Sequence, residues 1–135
     1  MRFALACLLT TGILAGFVFA AVTEDQAVPA GEAWLALIDS GKYGESWSGA
    51  STMFRNQLPA QKWTEMVGAV RGPLGAKKSR TLKNTKFTKA LPGAPDGNYV
   101  VMQFDARFTN KASAIETLTL MEDAGEWRAA GYFIR

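Results

Sequence analysis

From Tyr99 to Phe108 the side chains alternate without a break. The even positions are Val100, Met102, Phe104, Ala106 and Phe108, and the odd ones are Tyr99, Val101, Gln103, Asp105 and Arg107. A period of two sends successive side chains to opposite sides of a pleated backbone, so this segment reads as a half-buried strand with its even set toward a core. Residues 113–122, rich in Thr, Ile and Leu, form a second strand. Residues 127–134 form a third, in which Trp127, Ala129, Gly131 and Phe133 alternate with Arg128, Ala130, Tyr132 and Ile134. Gly131 marks a bend or a close backbone approach. The links between these strands, residues 109–112 and 122–126, are short and polar, which implies an antiparallel meander. An earlier, more polar strand covers residues 80–89, and the breaker-rich stretch 91–98 follows it as a loop.

Upstream of Gly75 the period is helical. In residues 29–40, Ala30, Ala33, Trp34, Leu37 and Ile38 recur at three- and four-residue spacing, and Gly41 is a natural stop. A second helix from near Lys42 carries Tyr43, Trp47, Ala50 and Phe54 as one stripe. A third starts near Pro59, carries Trp63, Val67 and Val70, and ends at Arg71-Gly72-Pro73. Helices followed by a run of strands predict an α+β domain, with N-terminal helices packed on one face of a curved antiparallel sheet of about four strands. No internal repeat or low-complexity segment interrupts it.

At the other end, Arg2 precedes an uncharged run that reaches Ala21 and closes on small residues. A positive start, an apolar middle and a small-residue boundary make residues 1–20 a secretory signal, cut after Ala20 or, alternatively, Ala21. The run is also near the roughly 20 residues needed to cross a bilayer, so an uncleaved membrane anchor is the alternative. Cys7 follows Leu5-Ala6 too early in the run to be a lipoprotein acylation site. Residues 21–135 remain as a single α+β domain without cysteine, held together by packing and not by disulfides.

The segments AWLALIDSGKYGESW, Phe54, Trp63, RGPLGAKKSR, LPGAPDGNYVV, ETLTL and GEWRAAGYFI together resemble the bacterial domain-of-unknown-function family 4019. The resemblance runs from about Ala27 to Arg135, with LPGAPDG and WRAAGYFI its most specific parts. It implies an exported bacterial protein with the cone-shaped fold of cystatin-like and nuclear-transport-factor-2-like proteins. It implies no activity and brings no catalytic residues.

The chain has no histidine, and its one cysteine departs with the signal. The usual zinc and copper ligands are therefore missing, as are Ser-His-Asp and Cys-His nucleophile arrangements, and no metal or cofactor is expected. The surviving enzymatic reading is a small cofactor-free isomerase with a carboxylate base in an apolar cone. Asp105 lies opposite the apolar set of its strand and points away from such a cone. Glu116 shares a face with Ala114, Leu118 and Leu120 and is the candidate base, where desolvation would raise its pKa. The opposite face, with Ile115, Thr117, Thr119 and Met121, is nearly as apolar, and on that orientation Glu116 is a surface or barrel-mouth residue paired with Lys or Arg.

Arg71, Lys77, Lys78, Arg80, Lys83, Lys86 and Lys89 occur with no acid between Met66 and Pro95, although the net charge is only +3. Such a run can attract an anionic partner, such as phospholipid head groups or envelope polymers. Equally, lysines on an edge strand discourage edge-to-edge association. Export and the lack of an aromatic-interleaved basic motif argue against nucleic acid. The mixed face with Tyr99, Gln103, Asp105 and Arg107 is either simply exposed or the interface of a homodimer. Together these features predict an exported, non-catalytic binding or accessory module of the cell envelope. Its partner would be a small apolar ligand in the cone or an envelope component at the basic segment.

Overall fold

The computed structural model describes residues 21–135, so the signal-like segment lies outside the described residues. A short 3-10 turn, Glu24–Gln26, leads into α1 (Ala27–Asp39), α2 (Tyr43–Ser48), α3 (Thr52–Gln57) and α4 (Ala60–Leu74). The strands β1 (Lys77–Thr88), β2 (Tyr99–Phe108), β3 (Lys111–Asp123) and β4 (Glu126–Ile134) then form one antiparallel sheet in the order β1-β2-β3-β4. This is the α+β architecture expected from the change of period.

The even set of β2 is buried throughout, and Val100, Met102 and Phe104 join Leu118 and Leu120 of β3 in the main core. Trp34, Leu35 and Ile38 of α1 and Trp63 and Val67 of α4 cover them. A satellite cluster of Ala106, Phe108 and Ala114 lies under Leu74 and Ile134. α1 reaches the sheet closely at Gly31, where an added Cβ would stand 2.4 Å from Met102 Cε and 3.3 Å from Leu118 Cδ2. A side chain there would have to push the end of Met102 aside. Both core tryptophans are also tied to one serine: Trp34 Nε1 donates to the Ser46 carbonyl and Trp63 Nε1 to Ser46 Oγ, each at 2.9 Å.

The single helix expected to run from Lys42 through Phe54 is two helices. Residues 49–51 break it, because Ser51 adopts extended geometry and caps α3, its hydroxyl accepting from the Phe54 N–H at 3.1 Å. Its own N–H donates to the Ala129 carbonyl of β4 at 2.8 Å. Tyr43, Trp47, Ala50 and Phe54 still reach one core, so the stripe survived the break that it concealed. α4 runs one residue beyond Pro73 and ends at Gly75, whose φ of +74° suits glycine. Carbonyls freed there go to the β2–β3 turn, with the Asn110 N–H on Leu74 and Asn110 Nδ2 on Pro73.

β4 departs from strict alternation. Thr119 pairs with Gly131 but Leu120 pairs with Ala129, so Ala130 is an extra residue, a β-bulge. Trp127 and Ala129 face the main core before the bulge, and Tyr132 does so after it, leaving Phe133 exposed. The expected grouping of Phe133 with Trp127 and Ala129 is thereby corrected.

Candidate functional site

Glu116 faces the core from the middle of β3, opposite Phe104 and Ile134, and is fully buried. Three donors meet its carboxylate. Arg80 of β1 contributes Nε to Oε1 at 2.6 Å and Nη2 to Oε2 at 3.1 Å, and the Tyr132 hydroxyl of β4 donates to Oε2. The other edge of the same guanidinium grips Asp39 at the end of α1, with Nη1 on Oδ2 at 2.7 Å and Nη2 on Oδ1 at 2.9 Å. Arg71 of α4 adds a bond from Nη2 to Asp39 Oδ1 at 3.0 Å, and its guanidinium lies 4.8 Å from the Phe108 ring centre. Lys77 Nζ stands 3.7 Å from Asp39 Oδ2 at the outer margin.

A planar fork with donors on two edges can hold two carboxylates at once, which an ammonium cannot do with this geometry. Burial alone would raise the pKa of Asp39, but the hydrogen bonds and charges of Arg80 and Arg71 outweigh it and hold the carboxyl below its usual range. Burial, reinforced by the neighbouring Glu116 charge, pushes the Tyr132 phenol far above its ordinary value and keeps it a neutral donor. Arg71 Nε and Nη1 are buried without a hydrogen-bond partner among the described residues.

Chemically, this network is a clamp. The inward orientation of Glu116 is the one that placed it with Ala114, Leu118 and Leu120, yet its oxygens are occupied by a guanidinium and a phenol. The clefts lie elsewhere. One of about 250 Å³ is lined by residues such as Phe87, Lys89, Asn98 and Trp127. Another, of about 240 Å³, is an apolar groove between α4 and β4, lined by Trp63, Met66, Val67, Val70, Tyr132, Phe133 and Ile134. Neither includes Glu116. Tyr132 contributes to the groove while its hydroxyl is engaged by Glu116.

The basic run does not form one surface. Arg71 and Arg80, expected among the surface cations, are turned inward with side chains only 4% and 9% exposed, because Asp39 and Glu116 draw them into the network. Lys77, Lys78, Lys83 and Lys86 are exposed. The β1–β2 ladder skips Lys78 and Lys83, which therefore sit at bulges, while Lys86 pairs with Val101 on the outer face. On that face Asp105 and Arg107 are exposed and Gln103 is half-buried, accepting from Asn84 Nδ2 at 3.2 Å. Tyr99 does not belong with them as an interface residue: it is buried, and its hydroxyl donates to the Pro95 carbonyl at 2.5 Å from beneath the 91–98 loop.

Sequence reasoning missed Asp39 and Tyr132 as members of the network. For Asp39 a signal exists, since it follows Leu35 by four residues on the buried face of α1. For Tyr132 none does, because the bulge at Ala130 decides which way it faces.

Among the described residues no helix is long and apolar enough to cross a membrane. Residues 30–132 match the model of a family described as "Protein of unknown function (DUF4019)". No curated protein matches the chain.

Proposed function

The chain belongs to the DUF4019 family of proteins of unknown function, and we propose that it is an exported, non-catalytic binding or accessory module of the bacterial cell envelope. One observation carries the non-catalytic part. The carboxylate best placed to act as a base, Glu116, is fully buried and engaged by Arg80 and Tyr132, and it lines neither of the clefts described above. A general base must come within hydrogen-bond reach of the proton it removes, and this one has its oxygens occupied. The isomerase-like alternative loses its base for that reason. A ligand held inside the cone has little support, because Trp34, Leu35, Ile38, Trp63, Met102 and Phe104 fill the space between helices and sheet.

Export is supported by the charge, apolar run and small-residue boundary of residues 2–21. For the partner, the exposed Lys78, Lys83 and Lys86 of β1, with no acid between Met66 and Pro95, suit an anionic envelope surface. Flotation with vesicles of phosphatidylglycerol and of phosphatidylcholine tests it. Binding to the anionic vesicles alone is expected, falling as salt rises from about 0.1 M to about 1 M, where the screening length drops from roughly 10 Å to 3 Å. It should be lost in the Lys78→Gln/Lys83→Gln/Lys86→Gln variant. Equal binding to both lipids, or none, would overturn the anionic partner. A cell-associated protein whose sequenced N-terminus is Met1 rather than Ala21 or Val22 would replace export of a free domain by the anchored alternative.

A further inference from the structure

The sheet has two edges, and they are built differently. β1 carries Lys77, Lys78, Lys83 and Lys86, and two register irregularities interrupt its ladder with β2. Lysines and bulges are how natural sheets keep an edge from pairing with another chain. At the opposite edge, residues 129–134 of β4 read Ala-Ala-Gly-Tyr-Phe-Ile, with no charge and no proline.

Bonding parity shows which β4 groups are free. Ile115 and Arg135 exchange both backbone bonds, at 2.9 and 3.0 Å. In an antiparallel ladder such pairs recur at every second residue, so Phe133 and Gly131 also direct their N–H and C=O toward β3. Tyr132 and Ile134 therefore direct theirs away from the sheet. Earlier in the strand, the outward Ala129 carbonyl is already taken by the Ser51 N–H at the start of α3. Among the described residues, the open length of edge is thus 131–135. Beside it lie the exposed apolar side chains Phe133, Met66 and Val70, at 55%, 47% and 49% exposure, two of them from α4 across the groove.

We propose that this edge is a homodimer interface, in which β4 pairs antiparallel with β4 of a second copy about a two-fold axis at Phe133, joining the two sheets into one. The axis position follows from the free groups. With Phe133 opposite its symmetry mate, Tyr132 faces Ile134 of the second copy and Ile134 faces Tyr132, and both pairs exchange their two free backbone bonds. Shifting the axis toward Ala129 would bring the second copy against α3. At the axis the phenylalanines form a non-hydrogen-bonded pair, the closer of the two antiparallel kinds, where aromatic cross-strand pairs are favourable. The pairing is charge-compatible, since no charged side chain lies opposite another of the same sign within residues 131–135. The same operation on β1 would bring lysines together. Closed two-fold pairing uses the same patch on both copies and leaves the two lysine-bearing edges as the ends of the joined sheet.

The test uses the purified protein carrying Cys7→Ser, so that any introduced thiol is the only one in the chain. Sedimentation equilibrium over a dilution series is expected to show a monomer–dimer equilibrium, with Phe133→Glu weakening dimerisation at least tenfold, because like charges would then oppose each other across the axis. Circular dichroism of Phe133→Glu checks that the fold is retained. Independently, Phe133→Cys is expected to form an intermolecular disulfide on mild oxidation, since closely paired strand positions fall within disulfide reach, whereas Gln103→Cys on the outer face should not. A monomer at every concentration would overturn the proposal. So would a dimer that cross-links through Gln103→Cys and not through Phe133→Cys, because it would place the contact on the sheet face instead of its edge.

Discussion

Tyr132 donates its hydroxyl to Glu116, so an aromatic ring that lines a surface groove is fastened to a carboxylate in the centre of the sheet. Arg80 holds the same carboxylate from the far side. Three strands, β1, β3 and β4, thus meet at one charge, and Asp39 brings in α1 through the same guanidinium.

Replacing Glu116 by Gln keeps the shape and removes the charge that Arg80 faces. Breaking one side of a buried ion pair costs about 3–5 kcal/mol when the remaining charge is left uncompensated; Arg80 keeps its two bonds to Asp39, so the loss should fall below that range. Tyr132→Phe removes a single hydrogen bond to a charged acceptor and should cost about 1.5–3 kcal/mol. In urea unfolding the double variant should be less destabilised than the sum of the two, since one change weakens and the other removes the same bond. Strict additivity would show that the two residues do not act together.

The acid limb of stability should contain a contribution from Asp39. Its folded pKa lies below the ordinary value of 3.8, so the unfolded chain takes up the proton first as pH falls. The stabilisation is present above the unfolded pKa and is lost as pH drops through the folded one. Asp39→Asn should therefore lower the urea midpoint at neutral pH and flatten its decline below about pH 4. A residual decline is expected from Asp123, whose pKa is lowered chiefly by the Thr52 backbone N–H.

The alkaline limb has the opposite sign. Tyr132 keeps its proton in the folded protein well past the ordinary value of 10.0, so above that pH the unfolded chain binds fewer protons than the folded one and stability falls. The decline in urea midpoint above pH 10 should be shallower in Tyr132→Phe than in the parent, and parallel declines would contradict the assignment.

Ser46 is the joint between two tryptophans. Ser46→Ala removes the acceptor of Trp63 Nε1, leaving a buried donor unpaired, and should cost about 1–3 kcal/mol. The Trp34 bond goes to the Ser46 backbone and should survive. Urea unfolding followed by tryptophan fluorescence measures the loss.

Gly31→Ala sets helix propensity against packing. Alanine favours the helix by about 1 kcal/mol, but its methyl would meet Met102, which is completely buried and must move. Overpacking of this kind costs about 1–3 kcal/mol, so a net loss is expected. Adding Met102→Val, which removes the colliding Cε, should recover part of it, and a Gly31→Ala variant more stable than the parent would refute the close approach.

The α+β layout and the inward even face of β2 were legible because both are written in local period. The break at Ser51 was not, since Tyr43, Trp47, Ala50 and Phe54 reach the same core whether or not the helix is continuous. Glu116 was legible as a carboxylate with two plausible orientations, and only the fold chose between them. The fate of Arg71 and Arg80 was hidden for a different reason: their partner Asp39 lies 32 and 41 residues away, and Glu116 lies 36 from Arg80. A basic stretch looks like a surface until the acids that claim it are found. The face taken by Tyr132 rests on a bulge that exists only in the pairing of β3 with β4.

The bond from Ser51 to Ala129, like that from Trp127 Nε1 to the Thr23 carbonyl at 2.8 Å, joins the opening third of the domain to its last strand. A chain cut short before β4 would therefore lose more than a strand: the turn that precedes α1 and the start of α3 would each be left without the partner that β4 supplies.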